Sequence, residues 1–362
     1  MNTQAAVPVG SDAGVRVPGD RLGAFCRQVL IAAGALDDTA SAATRAMLHG
    51  SRLGIDSHGV RLLDHYVAAI SGGRVNARPR MRVVSETGAV AALDADDAHG
   101  ALAAFTAMGH AVNLAGRFGI GAVAIRRSSH FGPAGAYALA AAEAGSIGLA
   151  FCNADSIVRL HGGASRFHGT NPIACAVPVA GSRPWLLDMA TSAIPYNRVQ
   201  LYKSVGRRLP GGVASTADGS DTDDPERADM LAPLGGAFGY KGAGLAGLVE
   251  ILSAVLSGMN LSPELAPMSG PDFATPRKLG AFVMALAPAA FLWQDDFHDG
   301  MKRYLSALRG SPARGGESVL APGDREWAEA DRRAANGIPI DPDTEKAFRT
   351  LASRYGLSPP FP

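Results

Sequence analysis

At 362 residues the chain exceeds the usual size of one hydrophobic core, so two lobes are expected. Apolar residues make up 47% and charged residues 19%, which suits a soluble globular protein with a substantial core. Lys plus Arg number 34 against 33 for Asp plus Glu, so no global field gathers nucleic acid or an acidic membrane.

The opening stretch MNTQAAVPVGSDAGVRVP, residues 1–18, has no basic head followed by an apolar run. It reads as a disordered tail, not a signal peptide. From Gly19 to His49 the pattern is helical, with Asp37 or Asp38 as a cap for the second helix. SHGVRLLDHYVAAISGG opens a third helix, with Val60, Leu63 and Val67 on one face and Gly72-Gly73 as its stop. MRVVSETGAVAALDAD predicts two strands about a turn, and GALAAFTAMGHAVNLAGRFG another helix ending in glycine.

The middle third changes character. Short apolar runs (GAVAIRR, IGLAFCNA, PIACAVPV, WLLDMA) alternate with Gly, Pro and Asn, as strands covered on both faces do. From Leu201 to Met230 the composition turns polar, and ADGSDTDDPERAD reads as an exposed loop. YKGAGLAGLVEILSAVLSG predicts one buried apolar helix, GAFVMALAPAAF a last strand, and FHDGMKRYLSALRG a final core helix. REWAEADRRAANG is a charged amphipathic helix. The simplest architecture is an α/β core embraced by a helical lobe drawn from both termini. Glu143 interrupts YALAAAEAGSIGLAFCNA, which argues against a transmembrane helix. Cys26, Cys152 and Cys175 are too few and too irregular for a disulfide framework or a metal knuckle, which suggests a reducing cytoplasmic compartment.

Gly119-Ile120-Gly121-Ala122-Val123-Ala124 matches the dinucleotide fingerprint in letters only. A helix precedes it and a strand follows, the reverse of the order that aims a helix N-terminus at a pyrophosphate. RRSSHFGPAG has the right order: strand, loop, then Pro133 in the first turn of a helix, where its missing N–H costs nothing. His130 therefore stands at an edge where free amides favour anions, either as a proton-exchanging imidazole or as a loop cap. In GIDSHGVRLL, Ser57 is a helix cap or a substrate contact, and His58 can polarise a substrate. Arg61 and Arg74 are candidates to fork a carboxylate, or are solvated side chains. No G-x-S-x-G elbow supports a hydrolase built on Ser57. GTNPIA, with Thr170, is a turn before a strand, and WLLDMATS ends a strand at Asp188, which either meets a ribose or caps the next segment. Lys241 opens a glycine-dense helix that fails the P-loop pattern yet offers a phosphate site, or close packing through Gly242. The nine histidines form no H-E-x-x-H and no Cys/His cluster, so no metal site is expected.

DSHGV…HY, SSHFGPAG, GTNPIA, LLDMATS and PLGGAFGYKGAGL occur in one order and spacing, and in this the chain resembles the type-2 malate/L-lactate dehydrogenases. The resemblance runs from about Gly19 to Gly337. That family also holds ureidoglycolate, sulfolactate and diketogulonate enzymes and cyclic imino-acid reductases. It implies an α/β, non-Rossmann fold with a mixed seven-stranded sheet between helices, a homodimer, and hydride transfer between NAD or NADP and a small 2-hydroxy or 2-oxo acid. The resemblance divides the chain into a helical substrate and dimer lobe, residues 19–128 with 305–356, and an α/β cofactor domain, residues 129–304. It makes His130 the acid/base and puts Ser57 and His58 at the substrate, with Arg61, Arg74 and Thr170 beside it. The cofactor cleft would take Phe131, Gly132, Pro133, Ala134, Thr170, Asp188, Met189, Ala190, Asn197, Arg198, Lys241 and Gly242. Three positions depart from the family pattern. Leu62 replaces a frequent arginine, with Arg61 about 100° away around a helix. Tyr196-Asn197-Arg198 stands where ARGK is common, and imino-acid reductases tend to carry aspartate at the place of Arg198. Thr216 occupies a frequent aspartate position. The alternatives are an imino-acid reductase and a catalytically silent ligand-binding relative.

Overall fold

The computed structural model describes residues 15–361. Its centre is a seven-stranded sheet built from β2 (Arg82–Thr87), β3 (Val90–Asp94), β4 (Ile120–Ser128), β5 (Ile147–Cys152), β8 (Ile173–Val177), β9 (Trp185–Met189) and β13 (Leu279–Leu286). The strand order is β2-β3-β4-β13-β5-β8-β9. Only β3 and β4 run parallel, joined by the crossover helix α4 (Gly100–Phe118), so the sheet is mixed as expected. Three of its strands come from before residue 129, so the sheet straddles the boundary drawn from the sequence. Gly119 ends α4 with φ of 84° and the chain passes straight into β4, which is why the glycine pattern there makes no nucleotide site.

The period-2 alternation of the strands divides two cores. Val123, Ile125, Ala281, Val283 and Ala285 face α4 and α5 (Gly135–Glu143). Alanines at 101, 104, 107, 111 and 115 let α4 lie close to the strands. A Cβ on Gly121 would sit 2.0 Å from the Ala111 carbonyl oxygen, so only glycine fits that approach. Ala122, Ala124, Phe282 and Met284 turn the other way, toward α7 (Tyr240–Glu250) and the π-helical turn Ile251–Val255 that continues it.

A second core joins both ends of the chain. In it α1 (Gly19–Ala32), α2 (Asp37–Arg52), α3 (Leu63–Gly72) and α10 (Pro342–Tyr355) bury Leu22, Phe25, Met47, Leu63, Phe348 and Leu351. Beside it β1 (Val15–Val17) pairs antiparallel with β14 (Ile338–Ile340). The last residues of the expected tail are therefore a strand, because Val15 and Val17 have apolar partners that sequence alone could not see. Residues 1–14 lie outside the described residues. Asp37 and Asp38 occupy the first turn of α2 and do not cap it; they meet the helix dipole there.

The polar stretch 201–230 is not simply loop. With α6 (Tyr196–Ser204), the short strands β6 (Val158–Arg159), β7 (Arg166–His168), β10 (Ala214–Ser215), β11 (Asp221–Thr222) and β12 (Met230–Leu231) make a five-stranded lobe over Val158, Ile194, Val199, Leu209 and Leu231. Ion pairs such as Arg159–Asp221 at 2.6 Å hold its strands, so its polarity is used in pairing.

Two expected core helices are half bare. α7 and its π turn bury Ala246 and Val249, but Leu245, Leu248, Ile251, Val255 and Leu256 are exposed. α8 (Gln294–Arg309) buries only Leu305, and the approach to it leaves Phe291 and Trp293 71% and 83% exposed. Apolar composition marked these segments as core, whereas among the described residues only one face of each is covered. α9 (Asp324–Asn336) is amphipathic as expected, and its Arg333 anchors the turn after α2 at Asp56. Among the described residues no helix is long and apolar enough to cross a membrane.

Candidate active site

The site begins where α2 ends. A guanidinium fork from Arg333 of α9 holds Asp56 (Nη1–Oδ1 2.5 Å, Nη2–Oδ2 2.8 Å) and the Ser51 carbonyl at 2.7 Å. Ser51 Oγ accepts from Val60 N–H at 2.9 Å. Between these anchors the turn Asp56–His58 presents Ser57 and His58. Ser57 Oγ lies 2.9 Å from His58 Nδ1, so it orients that imidazole and does not cap α3, which starts only at Leu63.

The second strand of the site is the loop after β4. Ser129 Oγ accepts from Gly100 N–H at 2.9 Å, the Tyr137 hydroxyl donates to the Phe131 carbonyl, and Gly132 turns the chain with φ of 75°. His130 is thereby set under α3, where Tyr66 Oη lies 3.0 Å from its Nδ1. Nε2 is the nitrogen left for a ligand. The rings of His58 and His130 stand 5.8 Å apart and nearly parallel, and His65 meets His130 edge-on at 6.4 Å. His99 closes the cluster against Tyr66 at 4.2 Å.

Burial sets the protonation of this cluster. It pushes His58 down, and it pushes His130 well below the ordinary imidazole range with help from His58, His65, Arg277 and His99. His65 is pushed to about 4 by burial, then by Arg277 and Arg74, against an opposing pull from Asp155. His99 falls to about 3 by burial and His65. These shifts all favour the uncharged imidazole, and an anion nearby would favour the protonated one.

The 261–278 segment covers it. Arg277 Nη2 holds Asp155 Oδ1 at 2.6 Å, Met268 N–H reaches Asp155 Oδ2 at 3.2 Å, and Phe273 lies 5.7 Å from His65. Arg74 is buried, but it clamps this segment: its Nη1 donates to the Met268 carbonyl at 3.0 Å and its guanidinium covers the Phe273 ring. Arg61 is exposed on the turn before α3. Arg74 is thus engaged by the covering segment, while Arg61 stands exposed on its turn. Arg277, His65, Tyr66 and Asp155 were missed as site residues. His65 and Tyr66 follow Leu62 at helical spacing and could have been found that way. Nothing local marks Arg277, which arrives from a distant loop.

On the other side of the loop, Asp188 Oδ2 accepts from Gly135 N–H at 2.8 Å, and a Cβ on Gly135 would meet that oxygen at 2.7 Å. Asp188 therefore caps α5. Burial raises its pKa to about 6 despite this bond. Phe131 and Ala134 turn their side chains into the core, and Gly132 and Pro133 between them are buried as well. Met189 and Ala190 lead from β9 to Thr191, whose N–H and hydroxyl donate to the Thr170 carbonyl at 2.9 and 3.1 Å. Leu234 N–H in turn donates to the Thr191 carbonyl at 2.9 Å, and a Cβ on Gly242 would lie 2.2 Å from the Leu234 carbonyl. So the 170, 190 and 234 loops and the start of α7, with exposed Lys241, form one connected wall. Glu250, buried, binds Asn171 at 2.8 Å and Ser262 Oγ at 2.7 Å and ties that wall to the covering segment. Asn197 and Arg198 lie on α6, at the small lobe.

Comparison with known proteins shows what the chain as a whole is similar to. A family model described as malate/L-lactate dehydrogenase matches residues 17–349. A malate dehydrogenase from Pyrococcus abyssi is 34% identical over 351 residues, covering 95% of this chain and 96% of its own. The ureidoglycolate dehydrogenase (NAD(+)) of Escherichia coli K12 is 32% identical over 316 residues, covering 87% and 89%. The solved structure of malate dehydrogenase from Pyrococcus horikoshii superposes with a TM-score of 0.88 at 31% identity, covering 96% of this chain and 98% of that one.

Proposed function

Since the chain belongs to the malate/L-lactate dehydrogenase family, we propose that it is an NAD(P)-dependent oxidoreductase of small 2-hydroxy and 2-oxo carboxylic acids. One observation carries the mechanism: a half-buried His130 with Nδ1 held by Tyr66 and Nε2 open beside His58, its basicity lowered by its surroundings. Oxidation of a hydroxy acid sheds a hydride from C2 and a proton from its hydroxyl. His130 Nε2 takes that proton and returns it when the 2-oxo acid is reduced. Its depressed basicity keeps it ready as a base, and the bound carboxylate raises it toward the working range. His58, fixed by Ser57, donates to the same oxygen as charge develops there.

NAD or NADP supplies the hydride acceptor when bound. The residues present suit such a group: a Cβ on Gly132 would point to within 3.4 Å of the Tyr66 hydroxyl and 3.9 Å of the His58 carbonyl, so the glycine leaves space beside the imidazoles. In this reading Gly132, Pro133, Met189 and Ala190 line the nicotinamide side, and Thr170 borders both ligands. Lys241 and Gly242 would meet the phosphates, and Asn197 with Arg198 the far end of the cofactor. Asp188 contributes by holding the amides of α5 in place.

The molecule acts as a homodimer in this proposal. The exposed Leu248, Ile251 and Val255 on α7 and its π turn, and Phe291 and Trp293 before α8, are the support, since large apolar side chains left bare gain by burial against a second copy. Three unpaired cysteines support a reducing, cytoplasmic setting. The test is a screen of pyruvate, oxaloacetate, glyoxylate, sulfopyruvate and piperideine-2-carboxylate with NADH and NADPH, following loss of nicotinamide absorbance. Turnover of a 2-oxo acid is expected; turnover of the cyclic imine alone would make the protein an imino-acid reductase instead.

A further inference from the structure

We propose that Arg277 and His65 together grip the substrate carboxylate, in place of the arginine that the helix position Leu62 does not supply. The assignment rests on the reading of the protein as a 2-hydroxy acid dehydrogenase.

A carboxylate entering this cluster of neutral imidazoles needs a cation, because a buried unpaired charge is costly. Arg61 points to solvent, Leu62 packs on the helical core, and Arg74 is spent on the carbonyls and ring of the covering segment. Arg277 remains. It is only 4% exposed, with Nε donating to the Ala266 carbonyl at 2.8 Å and Nη2 to Asp155 at 2.6 Å. Two of its three nitrogens are thereby fixed. Nη1 has no hydrogen-bond partner among the described residues, and it is not among the fully buried orphan atoms, so it opens onto space. The strand register brings it to the site: Leu279 of β13 pairs antiparallel with Ser128 of β4, so Arg277, two residues before the one, comes beside His130, two residues after the other.

His65 supplies the second donor. Its ring is edge-on to His130 and packed against Phe273, and neither ring nitrogen has a hydrogen-bond partner among the described residues. Being neutral, it carries one N–H and gives it without bringing a second charge. A carboxylate has two oxygens, and two donors, one charged and one neutral, are brought next to His130. Leu62 precedes His65 by one helical turn, so the imidazole head lies on the face along which an arginine from 62 would extend. Asp155 restrains Arg277 without consuming it, and its other oxygen is taken by Met268 N–H.

The experiment measures KM and kcat for the best 2-oxo acid, and Ki for oxamate, in the wild type, Arg277→Gln, His65→Phe and His65→Phe/Leu62→Arg. Loss of a charge-assisted contact predicts a rise in KM and Ki of about 100-fold for Arg277→Gln, and about tenfold for His65→Phe, with kcat falling much less. Leu62→Arg in the His65→Phe background is expected to bring both constants back by at least about threefold, through a new guanidinium contact. A purely structural role would lower kcat or the melting temperature without moving Ki. Should Arg277→Gln fail to fold, the His65 pair decides. KM and Ki within twofold of wild type in folded variants would overturn the carboxylate assignment while leaving the dehydrogenase reading intact. A wild type inert toward every 2-oxo acid would overturn the reading itself.

Discussion

The two faces of the central sheet are built from similar apolar strands yet end differently. The face under α4 and α5 is sealed by alanine and glycine, with helix backbone against strand, and at its end the loop after β4 sets His130. The face under α7 carries Phe151, Val249 and Phe282, then an outer layer of leucine and isoleucine that the described residues leave about half exposed. Close backbone packing fixes positions to fractions of an ångström, which an acid/base centre requires. A bare outer layer fixes nothing within one chain and is suited to burial against a second copy. The sealed face should therefore answer to substitution with lost stability or lost chemistry, and the bare face with lost assembly alone.

Gly121→Val should break the comparison hardest. The new side chain would push into the Ala111 carbonyl, and backbone on both sides cannot give way, so a loss of about 3 kcal/mol is expected in denaturant melts. A variant that melted like the wild type would show that α4 floats on the sheet. Next comes His130→Asn. Removing the proton carrier should lower turnover by about 100-fold, with the nucleotide Kd nearly unchanged. Because burial and its neighbours hold His130 well below 6.5, its base form persists as pH falls through that value. Oxidation kcat/KM should then stay flat across it; an acid limb centred at 6.5 would mean the imidazole is solvated. On the bare face, Leu248→Glu with Ile251→Glu should leave the protomer melting curve within about 0.5 kcal/mol, as surface changes do, and halve the mass seen by light scattering. A monomeric wild type would remove the contrast.

How much of this was legible depended on the range of the interactions. Helices and strands announced themselves by period, and the α4-to-β4 junction at Gly119 was readable from letter order alone. His130, Ser57 and His58 were legible through motif resemblance, and two of them do share one cluster. Arg277 was not, because its relation to His130 exists only once β13 is laid beside β4 and β5. Nor was the fate of Arg74, since a buried guanidinium and a solvated one look alike in sequence. The exposure of α7 and α8 was misjudged for a related reason: apolar periodicity says that a face is to be covered, and is silent on whether the cover comes from the same chain.

Asp188 gives the finest test of the sealed face. Its carboxylate caps α5 through Gly135 N–H, yet burial raises its pKa from 3.8 to about 6. A folded-state pKa above the unfolded one means that the folded form holds the proton more tightly. Its contribution is complete below pH 3.8 and is lost as pH rises toward 6. Asp188→Asn keeps an oxygen for the Gly135 amide and removes the charge. The variant should match wild-type stability near pH 4 and exceed it slightly at pH 8, by up to about 1 kcal/mol, in urea midpoints taken at both values. The opposite result, a variant weaker at pH 8, would mean that the amide and dipole of α5 outweigh the burial of the charge, and that this end of the helix is already an anion site filled by its own side chain.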